Sequence, residues 1–407
     1  MLYKRNAIVA LNSLAVALLI NAQFLAYIAN TYFGISSGIV SIVYVVVAML
    51  VLFSSVFNHF KIKFKISQKT ILFVGYILFY FLFSKIIVSG SFINDYLFDF
   101  ITNGLLVLII SQRPLRKDFV LLFTMIIGTL FWINPNKYVS SSLLNISYDR
   151  ASMVASYVLV PLILAAVFHF VFYRSNSKVL YLLYISNGAL LVSVIRILGR
   201  GPLLSILVGI CITGLIHYNQ GVPIKKKQIG YIVAVILILV IGSNFFDILY
   251  AINDMLNQQG IQVAAIKKSV DLFANNGVLG VLNNRKDRWD WAFSMIKENP
   301  FFGSGIGEYA NRYMTWPHNL FIHIWVEFGI IGAIPFIYAL LKSIKITLFT
   351  KCDSDDIFFL GYLFSISIIR LMFSSYFWHH PEFWMFMFLG IIVSKKQSYW
   401  DRNREAL

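Results

Sequence analysis

The chain has 407 residues, 59% of them apolar and only 13% charged, where a soluble domain of this size sits near ~45–50% apolar and ~25% charged. Roughly 240 apolar positions are the material for about twelve helical membrane crossings, which excludes a soluble enzyme, a disordered chain and a singly anchored protein. The net charge of +16 is spread between the apolar runs and not gathered on one segment, so it points to membrane topology and away from nucleic acid.

Lys4 and Arg5 precede an apolar stretch far longer than a signal-peptide core, with no cleavage site that stands out, so a retained first helix is expected. Apolar runs place spans near 7–29, 34–57, 70–88, 92–110, 119–133 and 151–173, then 179–198, 201–218, 228–246, 318–341, 357–377 and 382–394. Continuous runs, without alternation at every second residue, exclude an outer-membrane barrel. Most of the 34 Lys and Arg then fall on the side that holds both termini, which the positive-inside rule assigns to the cytoplasm. The expected fold is all-α: a polytopic integral membrane protein of about twelve transmembrane helices. Residues 1–246 carry nine of them, 247–317 form one large outward-facing loop with short amphipathic helices, and 318–407 carry three and a cytoplasmic tail.

Within the loop, Arg285 to Lys297 has helical spacing, with Trp289, Phe293 and Ile296 on one side and Asn283 or Asn284 as N-cap; Asn299-Pro300 ends it. Gly303-Ser-Gly305-Ile-Gly307 follows a helix and a proline, not a strand, so it reads as a flexible turn and not a nucleotide loop. The two cysteines, Cys211 in an apolar run and Cys352 in a charged loop, supply neither a disulfide framework nor a metal site. Asp353, Asp355 and Asp356 fall on the cytoplasmic side and are assigned no metal.

Polar groups near span ends are the first place to look for chemistry, because they are costly in a membrane. Three sets converge on the outer side. Arg196 and Arg200 lie at the Gly201-Pro202 break between two spans; Arg285 and Arg288 are three apart on the loop helix; Pro317 places His318 and Asn319 at the start of the tenth span. Guanidiniums present a planar fork of donors that stays charged, which suits a phosphate or pyrophosphate. Plainer readings stand beside this one: Arg200 on lipid headgroups, Arg285 and Arg288 paired with Asp287 and Asp290, and His318 as a structural hydrogen-bonding residue. Asn319, His323 and Glu327 form one polar stripe, in which Glu327 orients a histidine, binds a sugar hydroxyl or holds helices together. Gly329, Gly332 and Pro335 read as close packing and a kink. Asp95 and Asp99 are candidate acceptors for substrate hydroxyls or for an Arg, while Tyr376, Trp378, His379 and His380 read as an interfacial aromatic belt in preference to a sugar-stacking edge. Arg370 is an intramembrane charge whose expected partner is a buried acid or a carbonyl.

Arg200-Gly201, Arg285-x-x-x-Trp289-x-x-Ala292, Asn299-Pro300-x-x-Gly303-x-Gly305-x-Gly307, Pro317-His318-Asn319 and Glu327-x-Gly329-x-x-Gly332, in this order, resemble the bacterial O-antigen polymerase and ligase superfamily. The motifs cover about residues 196–332. The resemblance implies an integral, all-helical glycosyltransferase, similar in type to the GT-C enzymes, in the inner membrane. Its donor would be an undecaprenyl-pyrophosphate-linked oligosaccharide, used at the periplasmic face without metal or other cofactor. Its implied catalytic residues are Arg200, Arg285 and His318, with Arg196, Arg288, Arg312, Asn319 and Glu327 as substrate contacts. Membrane lipids and a chain-length regulator protein are the partners it implies. A polymerase is favoured over a ligase that transfers to lipid A core. A transporter or flippase is the competing class, disfavoured because the polar groups collect at one end and the halves lack matched broken segments.

Overall fold

In a membrane, backbone polar groups can be satisfied only within helices or closed barrels, and a computed structural model shows helices alone among its described residues. These are 2–35, 42–50, 67–138, 154–173, 177–197, 200–219, 245–260, 270, 285–350 and 355–405. The helices are α1 (Leu2–Ile20), α2 (Ala22–Phe33), α3 (Gln68–Ile87), α4 (Phe92–Ser111), α5 (Lys117–Gly128), α6 (Val154–Phe172) and α7 (Lys178–Ile197). They continue as α8 (Arg200–Asn219), α9 (Phe245–Gln258), α10 (Arg285–Glu298), α11 (Glu308–Tyr313), α12 (Leu320–Phe349), α13 (Asp355–Phe373) and α14 (Pro381–Glu405).

Six of these helices are long and apolar enough to cross a membrane, or seven if α1 and α2 count as one bent span. Shorter apolar helices run over Lys178–Val194 and Pro381–Ser394. The expected fifth span is a 12-residue helix, α5, that runs into a 3-10 turn at Thr129–Ile133. The expected second span is described only over 42–50, and the ninth, 228–246, lies almost wholly outside the described residues. The first span also departs from a single rod: α1 and α2 meet at 63°. Asn21 sits at the bend, buried, donating its side-chain amide to the Ala17 carbonyl at 2.7 Å and to the Thr124 hydroxyl at 3.1 Å.

Lipid-facing and interior helices differ in burial. α6 and α13 have 72% of their apolar windows buried, against 33% for α3, whose Leu72, Phe79, Leu82 and Ile86 are exposed, as suits contact with lipid. At the centre, Phe328 and Phe336 of α12 pack with Phe377, Trp378 and Trp384, all fully buried.

One feature of α12 positions everything at its N-terminal end. Gly329 has φ 66° and ψ −178°, so the helix breaks there, and a break inside a span frees backbone groups that lipid cannot satisfy. The loop before α11 supplies the partners. Ser304 N–H donates to the Val326 carbonyl at 2.8 Å and Gly305 N–H to the Glu327 carbonyl at 3.2 Å; Ile330 N–H and Ile331 N–H donate to the carbonyls of Pro300 and Phe301 at 2.9 and 3.0 Å. Gly303 also has positive φ, and a Cβ on either Gly303 or Gly329 would collide with the other's strand of backbone. The glycine-rich segment is therefore no flexible turn: its backbone is paired with the broken helix. The kink expected from Gly329, Gly332 and Pro335 falls at the first of these.

Candidate active site

The turn that begins α12 is fixed from two sides. Asn319 caps the helix, its side-chain oxygen accepting from Phe321 N–H at 3.1 Å and Ile322 N–H at 3.2 Å. α10 lies against it, burying Ala292, Met295 and Ile296 with Tyr309 and Val326. Of the face expected, Ile296 is buried here and Trp289 is half-buried, while Phe293 is exposed. Trp289 Nε1 donates to the Pro317 carbonyl at 3.1 Å, and the Tyr309 hydroxyl to the Arg288 carbonyl at 2.8 Å. These contacts bring Arg285 and Arg288 to the His318 turn, while Asp287 and Asp290 stay exposed.

His318 has an αL backbone, φ 55°, a conformation that non-glycine residues hold only when their surroundings impose it. Its Nδ1 is buried without a hydrogen-bond partner. Burial, then the charges of Arg288 and Arg285, push the imidazole down to about 3, against a backbone hydrogen bond to Ser374 that works the other way. The ring is therefore neutral near pH 7 and close to both guanidiniums. Arg285 donates through Nη2 to the Phe373 carbonyl at 2.8 Å and lies 5.7 Å over the Phe373 ring. Burial lowers its pKa, the Tyr157 hydroxyl opposes that, and Arg288 adds to the lowering; a guanidinium still keeps its charge. Among the described residues Arg285 has no ion-pair partner. A half-buried cation with no carboxylate beside it is a site for an anion.

The side chains of Arg196 and Arg200 lie outside the described residues, but the backbone after Arg200 is placed. A Cβ on Gly201 would collide with the Tyr157 hydroxyl, and that same hydroxyl acts on Arg285. The start of α8, the first turn of α10 and the turn before α12 thus meet around Tyr157 and the end of α13.

The other expected contacts are committed elsewhere. Glu327 is fully buried: Oε1 accepts from Gly307 N–H at 3.2 Å and meets His323 Nε2 at 3.2 Å, and Oε2 accepts from Trp378 Nε1 at 3.0 Å. It ties the loop, α12 and the turn before α14 together. Arg312 pairs with Glu298 and Glu308, both at 2.8 Å. Trp378 and His380 are buried and so form no interfacial belt. Arg370 finds both partner types expected for it: Gln23 Oε1 at 2.8 Å and Glu382 Oε1 at 4.0 Å, with the Tyr157 ring 5.2 Å away. Glu382 in turn holds His380 at 2.8 Å, whose other nitrogen meets the Ser375 hydroxyl at 2.6 Å. This buried network fixes the 373–380 turn, which carries the Phe373 carbonyl and Ser374 backbone that orient Arg285 and His318. Sequence reading misses Tyr157, Phe373 and Ser374.

Residues 185–337 match the family model described as O-Antigen ligase. The match spans α7 to the middle of α12, includes Arg285, Arg288 and His318, and supports membership of the O-antigen ligase and polymerase superfamily. No curated protein and no solved structure matches the chain.

Proposed function

We propose that this protein is a membrane-embedded polysaccharide polymerase, joining undecaprenyl-pyrophosphate-linked repeat units at the periplasmic face of a bacterial inner membrane by metal-independent glycosyl transfer. The observation that carries the reading is a neutral imidazole with an unpartnered, buried Nδ1 beside Arg285 and Arg288. An acceptor hydroxyl oxygen attacks the anomeric carbon of the donor. The bond from that carbon to the pyrophosphate oxygen breaks, and its electron pair leaves with the pyrophosphate. The hydroxyl proton passes to Nδ1 of His318. Arg285, with Arg288, stabilises the charge building on the departing group through preplaced donors in a partly dry site. Arg200 joins them in this reading, since the backbone that follows it packs on Tyr157.

A second reading, transfer of the glycan to lipid A core, is favoured by the description of the matching family as a ligase. Purified protein given a lipid-pyrophosphate oligosaccharide, with and without lipid A core, separates them. A ladder of products without core supports the polymerase, and transfer only to core supports the ligase. Unreacted donor in both arms, with folded protein, overturns both.

A further inference from the structure

A wall of rings and one carboxylate extends from His318. The Trp316 ring lies 5.5 Å from that of His318 and 5.0 Å from that of Tyr376. Tyr376 stacks on Tyr96 at 5.1 Å and on His379 at 5.8 Å. Asp99, from α4, accepts from the Tyr376 hydroxyl at 2.8 Å and meets His379 Nδ1 at 3.1 Å. Both members of that last pair keep part of their side chains open to solvent, 13% for Asp99 and 34% for His379.

Trp316 is unlike the structural tryptophans around it. Trp289, Trp378 and Trp384 donate their indole N–H to the Pro317 carbonyl, Glu327 Oε2 and the Trp378 carbonyl at 3.1, 3.0 and 3.4 Å. Trp316 Nε1 is buried with no partner, as is Nδ1 of the adjacent His318. A buried indole N–H needs an acceptor and a neutral imidazole nitrogen needs a donor. A hydroxyl group supplies both at one oxygen. Two hydrogen bonds of about 2.9 Å at a tetrahedral oxygen span nitrogens about 4.7 Å apart, and the two rings that carry these nitrogens are centred 5.5 Å apart. The Asp99 carboxylate disfavours a pyrophosphate on this side, whereas carboxylate, imidazole and flat aromatic faces together suit the hydroxyls and C–H face of a pyranose.

We infer that Trp316, Tyr376, Asp99 and His379 form the subsite for the acceptor sugar, with Trp316 Nε1 and His318 Nδ1 sharing its attacking hydroxyl. This rests on the glycosyl-transfer reading and specifies which side of His318 each substrate occupies. The family-model match does not extend to Asp99, Tyr376 or His379, which lie outside residues 185–337.

The probe is a repeat-unit glycoside without pyrophosphate, able to accept but not to donate, together with its analogue deoxygenated at the attacking position. Trp316→Phe keeps an aromatic face and removes the indole donor. Its affinity for the glycoside, measured by equilibrium binding, should fall about tenfold, the worth of about one hydrogen bond, while the deoxy analogue binds both proteins alike. Donor KM should stay as in the wild type. Asp99→Asn should likewise weaken glycoside binding with donor KM unchanged, and serves if the tryptophan variant folds poorly. Equal glycoside affinity in wild type and both variants, or a loss that falls on donor KM, overturns the subsite. Because binding is read without turnover, wild-type protein that binds the glycoside but transfers nothing counts against the glycosyl-transfer reading alone.

Discussion

At Arg285 the useful property is shape as much as charge. Its Nη2 is held by the Phe373 carbonyl, which leaves the rest of a planar fork for a pyrophosphate oxygen, and a lysine ammonium cannot both keep that anchor and present parallel donors. Arg285→Lys should therefore lose at least about 100-fold in turnover, the scale of one preplaced transition-state donor, with membrane abundance unchanged; near wild-type rates would reduce the residue to a point charge. His318 makes a pH prediction. Burial and two guanidiniums push its pKa down to about 3. A bound pyrophosphate neutralises those guanidiniums but leaves burial, the larger cause, in place, so the pKa in the complex rises while staying below the ordinary value of about 6.5. A base works only unprotonated. The acid limb of kcat, which reports the complex, should therefore lie at higher pH than that of kcat/KM, which reports the free enzyme. Rate profiles between about pH 2 and 8 check it; coincident limbs, or limbs that persist in His318→Ala, count against His318 as the base.

Among elements, α12 has the largest part in building the site, because its break at Gly329 lets the 299–305 loop dock and hold the turn that aims His318. Gly329→Ala forces a Cβ against the backbone of Phe301 and Gly303 at a positive φ. It should destabilise by about 3 kcal/mol or more, seen as a lower Tm in detergent and loss of activity together. Gly188→Ala in α7, where a Cβ meets nothing within 4 Å, is the control and should be neutral or slightly stabilising. The contrast also shows what a sequence carries. The third and eleventh spans were legible to within two to four residues, since 70–88 and 357–377 became Gln68–Ile87 and Asp355–Phe373, because lipid demands a continuous apolar run. The bend at Asn21 and the docked glycine loop were not, because each depends on a partner distant in the chain, Thr124 in one case and the 326–331 backbone in the other. In the site, Arg285, Arg288 and His318 stood out as charged or titratable groups at apolar boundaries. Phe373 and Ser374 did not, because they act through main-chain groups that every residue has.

For the whole molecule, the decisive quantity is the side of the membrane on which the arginine pair and His318 open. The energetics of the proposed reaction constrain it: a lipid-linked donor leaves its pyrophosphate in the headgroup layer, so α10 and the start of α12 must lie at that depth on the face where the glycan is displayed. In the proposed topology α10 lies on the side opposite the Lys-rich and Arg-rich segments, which anionic lipids hold at the cytoplasmic face. Ser294, exposed on α10, reports this directly. In a Cys211→Ala, Cys352→Ser background, Ser294→Cys should react with a membrane-impermeant maleimide in intact spheroplasts as fully as after permeabilisation. A cysteine at Lys225 or Lys226, in the expected cytoplasmic segment between the eighth and ninth spans, should react only after permeabilisation. The reverse pattern would put Arg285 and His318 in the cytosol, on the wrong side of the membrane for a displayed glycan, and the proposed polymerase would lose its substrate.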